Sequence, residues 1–451
     1  MLSMLKKFVK KNRYIENTAR NLRNIRPLTK RLSSHFWDYY ALLNETQYYE
    51  PQYIQELQFE LLKNTLKHAY LNSKFYRNLY DKYGVKISQI QSFEDFRSQI
   101  PIVDKSLLKN AGGLTIKVPD MYKITTSGTS GAPFQFYGDR ESREKELAAI
   151  YHQWSRANFT PDFYRIEMRG FQIEPIAEYP DLNLTRFSIV NMNDNMEQMV
   201  NYINEKEIAY FHGYPSAIAK FAKLLNESSL KLISPIKGVL LASENMYEWQ
   251  IKEIEDYLNP EKIIAHYGNS EQVALGAWCE TNRSYHFLPL YGYVEKGLNN
   301  ELIGTGFLNK TTPFIRYRMN DLVLDWTEEV CPQCGRGYTP VIKQIGGRLE
   351  DYLIDEKSEL IPPAVVTFPF KNLNVMKEVQ VFQIINKNII LRYTIQNSYD
   401  REKLKIDKNQ LTIGFKTMLG ESIDIFFEEV VEITLTDACK FKWIISEAHQ
   451  K

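Results

Sequence analysis

Cysteine is scarce in this chain: Cys279, Cys331, Cys334 and Cys439 are the four thiols among 451 residues. So few cannot staple a chain of this length, which excludes a disulfide scaffold and suits a reducing compartment. No apolar run approaches the roughly 20 residues needed to cross a bilayer. The start also lacks the continuous apolar core of a secretory signal, so a cytoplasmic protein is expected. Charge of one sign is missing too. The 56 Lys and Arg against 55 Asp and Glu leave a net charge of +1, which gives no ground for nucleic acid as a partner. There is no internal repeat and no low-complexity linker. What remains is an ordinary globular balance, 44% hydrophobic and 25% charged residues, enough for a large core. The length suggests two or three domains.

The strongly biased stretch is the first one. Residues 1–31 hold ten Lys or Arg and one acid, Glu16, with Leu5, Phe8, Val9, Ile15, Leu22 and Ile25 interleaved. Two readings stand. One is a basic arm, residues 1–35, in peripheral contact with an anionic membrane surface. The other, favoured here, is a solvated basic helix, the usual meaning of a charge run.

Residues 36–82 read as helix, with Leu57, Leu61, Leu62, Leu66, Ala69 and Tyr70 at helical spacing. Asp104 is placed to cap a short helix. Strands are expected at 122–125 and 134–137, and Asp139 opens a helix through Trp154. From there to about residue 275, strand-like runs such as Gly238–Ala242 alternate with helical ones such as 215–227 and 246–257, which argues for an α/β sheet with covering helices. Residues 287–345 are richer in short strands. After Gly346-Gly347-Arg348 the pattern becomes that of a compact α+β unit, with a helix near 407–418. The expected division is therefore 1–347 and 348–451.

The most distinctive short segment is Thr125-Thr126-Ser127-Gly128-Thr129-Ser130-Gly131-Ala132-Pro133. Its glycines permit sharp backbone turns that point N–H groups outward, and its hydroxyls add donors for anionic oxygens. It is not a Walker loop, because Gly-x4-Gly-Lys-Ser/Thr is absent. On its own it is equally a hairpin turn. Downstream, in order, come Ala242-Ser243-Glu244-Asn245, His266-Tyr267-Gly268-Asn269-Ser270-Glu271, Arg316-Tyr317-Arg318-Met319-Asn320-Asp321, Gly347-Arg348-Leu349-Glu350-Asp351 and Lys440.

This ordered series, over roughly residues 50–445, resembles the adenylate-forming superfamily of acyl-CoA ligases, aryl ligases and luciferases. Within it the chain looks like the phenylacetate–CoA ligase-like family, in the branch tied to capsular polysaccharide biosynthesis. The resemblance implies an α/β fold with a large N-terminal domain of mixed sheets and a small mobile α+β C-terminal lid. It implies an enzyme that adenylates a carboxylic acid with ATP and Mg2+. Thr126, Ser127, Gly128, Thr129, Ser130 and Gly131 would wrap the outer phosphates. Glu271 would hold Mg2+, whose preference for hard oxygen ligands suits a carboxylate. Asp321 would take the ribose hydroxyls. Tyr267 and Gly268 would line the adenine slot, with Ser243 and Glu244 at its edge. Arg348 would reach ribose or phosphate, Glu350 would be the hinge, and Lys440 would stabilise charge at the α-phosphate. Two positions depart from the family pattern. Ala132 and Phe134 flank the loop proline where a lysine is usual, and Cys439 replaces the glycine before the lysine.

Cys331-Pro332-Gln333-Cys334 alone is a redox pair, a metal knuckle or coincidence. With Cys279 and His286 upstream it completes a Cys3His set suited to structural Zn2+, and the resembled family carries similar elements. Tyr214, Ala242 and His266 are candidates for an acyl pocket expected to be aromatic and mostly apolar. For Tyr214, core packing is an equal reading, and a lone His is more often a satisfied core residue. The acceptor stays open between coenzyme A and an amine or hydroxyl of a glycan precursor. A non-catalytic nucleotide-binding scaffold is the third reading.

Overall fold

The computed structural model describes residues 26–109, 111–125, 134–169, 174–189, 192–348, 351–361, 363–366, 368–370, 373–395, 400–435 and 441–448. The helical run expected over 36–82 is three helices: α1 (Ser34–Thr46), α2 (Pro51–Asn72) and α3 (Lys74–Lys82). The breaks have local causes. Pro51 sits in the first turn of α2, where its fixed φ suits a helix start, and it holds Glu50 out of helical geometry at ψ 139°. The Ser73 hydroxyl caps α3, accepting from the Tyr76 N–H at 3.5 Å. Two short helices follow, α4 (Phe93–Gln99) and α5 (Lys105–Lys109). Asp104 caps the second, its Oδ1 accepting from the Leu107 N–H at 2.8 Å.

Next come a hairpin of β1 (Tyr122–Thr125) and β2 (Gln135–Gly138), then α6 (Arg140–Trp154) behind an Asp139 capping box. The alternating region supplies β3 (Arg165–Met168), β4 (Ile176–Tyr179), β5 (Leu184–Phe187), α7 (Met192–Glu205), β6 (Tyr210–Gly213), α8 (Pro215–Glu227), β7 (Gly238–Ala242), α9 (Glu248–Leu258) and β8 (Lys262–Gly268). The strand-rich region supplies β9 (Leu275–Trp278), β10 (Tyr285–Phe287), β11 (Gly292–Lys296), β12 (Glu301–Gly306), β13 (Tyr317–Thr327) and β14 (Val341–Arg348). Twelve described strands form one sheet in the order β11-β12-β13-β14-β10-β9-β8-β7-β6-β3-β5-β4. The strands β5-β3-β6-β7-β8 run parallel, and the pairings outside them are antiparallel. This is the mixed α/β architecture expected from the alternation.

The sheet is covered on both faces. Met199, Ile218, Phe221 and Ile254 of α7, α8 and α9 pack on Ile166, Phe211, Val239 and Leu241. On the other face Phe36, Leu43, Tyr151 and Trp154 of α1 and α6 pack on Tyr210, Leu240 and Ile264. Each such buried side chain contributes about 1.5–3 kcal/mol, and burial from both sides explains why β7 is apolar throughout. A third cluster joins α2–α4 to the hairpin through Phe134, Phe136, Phe314 and Tyr317. Close approach dictates one glycine: a Cβ on Gly213 would stand 2.3 Å from the Met168 carbonyl oxygen.

Beyond β14 lie a two-stranded ribbon of β15 (Leu353–Ile354) and β16 (Leu360–Ile361), the short α10 (Pro363–Val366), β17 (Met376–Gln383), β18 (Ile389–Ile395), α11 (Arg401–Leu419), β19 (Ile425–Glu429) and β20 (Ile444–Ser446). The last four strands form a separate sheet, β19-β18-β17-β20. Leu411, Phe415 and Leu419 of α11 pack on its Val381, Leu391 and Tyr393.

Candidate active site

Two carboxylates distant in sequence meet beyond the carboxyl end of β8. Tyr267, near that end, donates its hydroxyl hydrogen to Asp321 Oδ2 on β13. Glu271, three residues past the strand, accepts from the Tyr317 hydroxyl at 3.3 Å. Burial pushes the Glu271 carboxyl above the usual carboxylate range. The Tyr317 hydrogen bond and the Lys105 charge oppose that, and Asp321 adds to it. Glu271, Asp321 and Lys105 are thus electrostatic neighbours. Asn269 shapes the turn, its Oδ1 accepting from the Val273 N–H at 3.0 Å. Across the antiparallel pair, Asp321 stands opposite the Arg348 backbone. Lys105 and Tyr317 were not singled out from the sequence. A lysine one residue after a helix cap carries no local signal that it faces an acid 166 positions later.

Residues 126–133 lie outside the described residues, and with them Thr126, Ser127, Gly128, Thr129, Ser130 and Gly131. The hairpin that carries them is anchored beside the carboxylates. Phe134 meets Phe314 at 6.2 Å between ring centroids, and Phe314 meets Tyr317 at 5.2 Å. Tyr137 N–H donates to Thr312 Oγ1 at 3.2 Å.

β7 ends in a sharp turn. Ser243 adopts φ 72°, a left-handed conformation uncommon outside glycine, and is exposed. Glu244, expected at an adenine edge, is turned elsewhere. Its Oε2 accepts from Ser216 Oγ at 2.6 Å, and its Oε1 accepts from the Phe441 N–H at 3.1 Å. Tyr247 meets Trp443 edge-on at 5.0 Å. The turn after β7 is therefore a docking point for the C-terminal sheet. Phe441 directly follows Lys440. Lys440 and the hinge candidate Glu350 are outside the described residues.

Of the acyl-pocket candidates, Tyr214 is buried in the core beneath α7–α9. Ala242 is buried at the end of β7, paired in register with His266 on β8. The His266 ring lies 6.5 Å from that of His212, nearly parallel to it. His212 in turn accepts from Arg169 NH1 at 3.4 Å. The Trp154 ring stands 6.4 Å from that of His266, and the Arg169 cation acts on it as well. Burial, then Arg169, pulls the His266 pKa down to about 4, so its imidazole is neutral near pH 7.

Cys279, His286, Cys331 and Cys334 converge, their ligand atoms all within 4.8 Å of one another. The Tyr338 carbonyl, 3.2 Å away, takes the His286 Nδ1 hydrogen. That leaves the Nε2 lone pair facing Cys334 Sγ at 3.7 Å. A tetrahedral zinc with bonds of about 2.3 Å to sulfur separates its donors by about 3.8 Å, so the donor set and spacing fit. Arg336 braces the knuckle with a two-pronged pair to Glu280, at 2.7 and 3.1 Å.

No protein-family model matches the chain. Protein CapK of Staphylococcus aureus is 23% identical over 439 residues, 93% of this chain and 94% of CapK. The crystal structure of 2-hydroxyisobutyryl-CoA ligase in the postadenylation state, in complex with R3-HIB-AMP, superposes with a TM-score of 0.73. It is 19% identical and covers 90% of this chain and 92% of that one. The same ligase with 2-HIB-AMP and CoA in the thioesterification state superposes with a TM-score of 0.58 at 19% identity, over 89% and 91%. The likeness shows a shared fold.

Proposed function

We propose that this chain is an ATP-dependent, AMP-forming ligase that activates a carboxylic acid as an acyl-AMP and passes the acyl group to coenzyme A. The observation that carries the reading is the meeting of Glu271 and Asp321 beside the base of the hydroxyl- and glycine-rich loop. In the first step a carboxylate oxygen attacks the α-phosphorus and pyrophosphate leaves. In the second the thiolate attacks the acyl carbonyl and AMP leaves. Asp321, already oriented by Tyr267, receives the ribose hydroxyls. Glu271 holds Mg2+, which would displace the proton that burial favours on its carboxyl. Lys105 supplies positive charge on the phosphate side, where the loop itself has no lysine. Residues 126–131 cradle the phosphates, Tyr267 and Gly268 line the base with Ser243 near them, and Arg348 reaches ribose or phosphate. Lys440 meets the charge developing on phosphorus, an effect that accelerates only insofar as it is greater in the transition state.

In this reading residues 348–451 act as a lid turning about Glu350, and Glu244 latches it by the Phe441 amide in the adenylating orientation. The Cys279, His286, Cys331 and Cys334 cluster holds a structural Zn2+, four protein ligands leaving no open position for catalysis. The test is acid-dependent exchange of labelled pyrophosphate into ATP with Mg2+, followed by addition of coenzyme A. Exchange and then thioester is the expected result. Absence of both nucleotide binding and exchange across a broad acid panel would sink the assignment.

A further inference from the structure

Arg169 directly follows β3, His212 lies in β6 and His266 in β8. The chain leaves β3 toward β5 and leaves β6 toward β7, in opposite directions along the sheet. Open α/β sheets take their ligands in crevices outside the carboxyl ends of strands at such divergences. The Leu240 carbonyl takes the His212 Nδ1 hydrogen at 2.8 Å. This fixes the lone pair on Nε2 and orients one prong of the Arg169 fork at 3.4 Å. The other guanidinium hydrogens have no carboxylate partner among the described residues. The nearby acid, Glu167, is taken by Arg186. Arg165 adds a further cation over the Trp154 ring at 5.4 Å. His266 Nδ1 is buried without a hydrogen-bond partner among the described residues. An unpartnered buried imidazole nitrogen near a half-buried cation offers an anion both a hydrogen bond and a positive charge.

We propose that the acid activated here carries a second anionic group, which Arg169 binds as counter-ion and His266 helps to orient. The inference rests on the adenylation reading for its direction. The reacting carboxylate points toward Ser243 and the nucleotide, and the second anion points toward the ends of β3 and β6. A simple aryl or alkyl acid would give Arg169 no anionic partner, the kind of mismatch on which specificity for polar groups is built.

The test uses matched acids: succinate with butyrate, glutarate with valerate, phthalate with benzoate. Pyrophosphate exchange is measured for each pair, and direct binding by titration calorimetry without ATP. The dianionic member is expected to win at least one pair. Arg169→Gln should then cut the dianion-to-monoanion ratio of kcat/KM by about 10- to 100-fold, and Arg169→Lys should restore part of it. Melting temperatures of the variants show that the fold persists. Exchange that favours the monoanions in every pair, or a preference unmoved by Arg169→Gln, overturns the proposal while leaving adenylation standing. Arg169-dependent dianion binding without exchange supports the site and sinks the proposed activity instead. Failure of every dianion both to bind and to exchange overturns the proposal.

Discussion

Replacing Glu244 by Ala tests how the C-terminal sheet is held. The change removes the acceptor of hydrogen bonds from Ser216 Oγ at 2.6 Å, from the Ser216 N–H at 3.4 Å and from the Phe441 N–H at 3.1 Å. The Phe441 bond crosses between the two sheets. A hydrogen bond to a charged group is worth about 1.5–3 kcal/mol net. Glu244 is half-buried, so screening argues for the low end, about 1.5 kcal/mol, or roughly tenfold in the ratio of docked to undocked lid. Docking is weakened rather than abolished, because the Tyr247–Trp443 ring contact remains. The Lys220–Glu378 pair, 3.8 Å apart with both side chains about 40% exposed, adds little. Amide hydrogen exchange across 441–446 should therefore quicken by roughly tenfold, with exchange in β7 and β8 unchanged. Pyrophosphate exchange should lose about the same factor in kcat, with KM for ATP nearly constant, since the nucleotide contacts lie elsewhere. Glu244→Gln keeps an acceptor without the charge and should fall between. Unchanged exchange at 441–446, or a uniform rise over the whole chain, would refute the latch.

The remaining expectations are independent of that one. Asp321→Asn should raise KM for ATP and lower kcat/KM by about 10- to 100-fold, the worth of a hydrogen bond to a charged group, as read by pyrophosphate exchange. Lys440→Ala should abolish exchange yet retain acyl transfer from supplied acyl-AMP; loss of both halves alike would argue against a role confined to adenylation. Metal analysis of the purified protein should find one zinc per chain, and Cys331→Ser should lose it together with about 3 kcal/mol of stability; a zinc-free native protein ends that reading. Burial, then the Arg156 and Arg336 charges, lowers the His152 pKa to about 3. The unfolded chain therefore binds the extra proton first, and stability from this residue, full above pH 6.5, is lost as pH falls toward 3. His152→Gln should remove about 3 kcal/mol of that acid sensitivity between pH 6.5 and 4, measured by denaturant melts across the range.

Local rules carried far along this chain. Alternating apolar runs spelled out β6, β7 and β8 with the helices between them, and Asp104 and Asp139 marked helix starts because a short side-chain oxygen caps free N–H groups wherever it occurs. The Cys-x2-Cys spacing suggested a metal knuckle because two thiols so placed reach one ion. Other features depend on which segments the sheet brings together. That Tyr267 meets Asp321, that Lys105 faces Glu271, and that Glu244 reaches across to Phe441 follow from strand order, which no local pattern encodes. Arg169, just past β3, and His212 in β6 are unremarkable in sequence. Their contact exists because β3 and β6 are neighbours in space. Periodicity and capping act over a few residues and are written in the chain. Electrostatic partnership acts through space at short range, so it was decided only when folding set those distances.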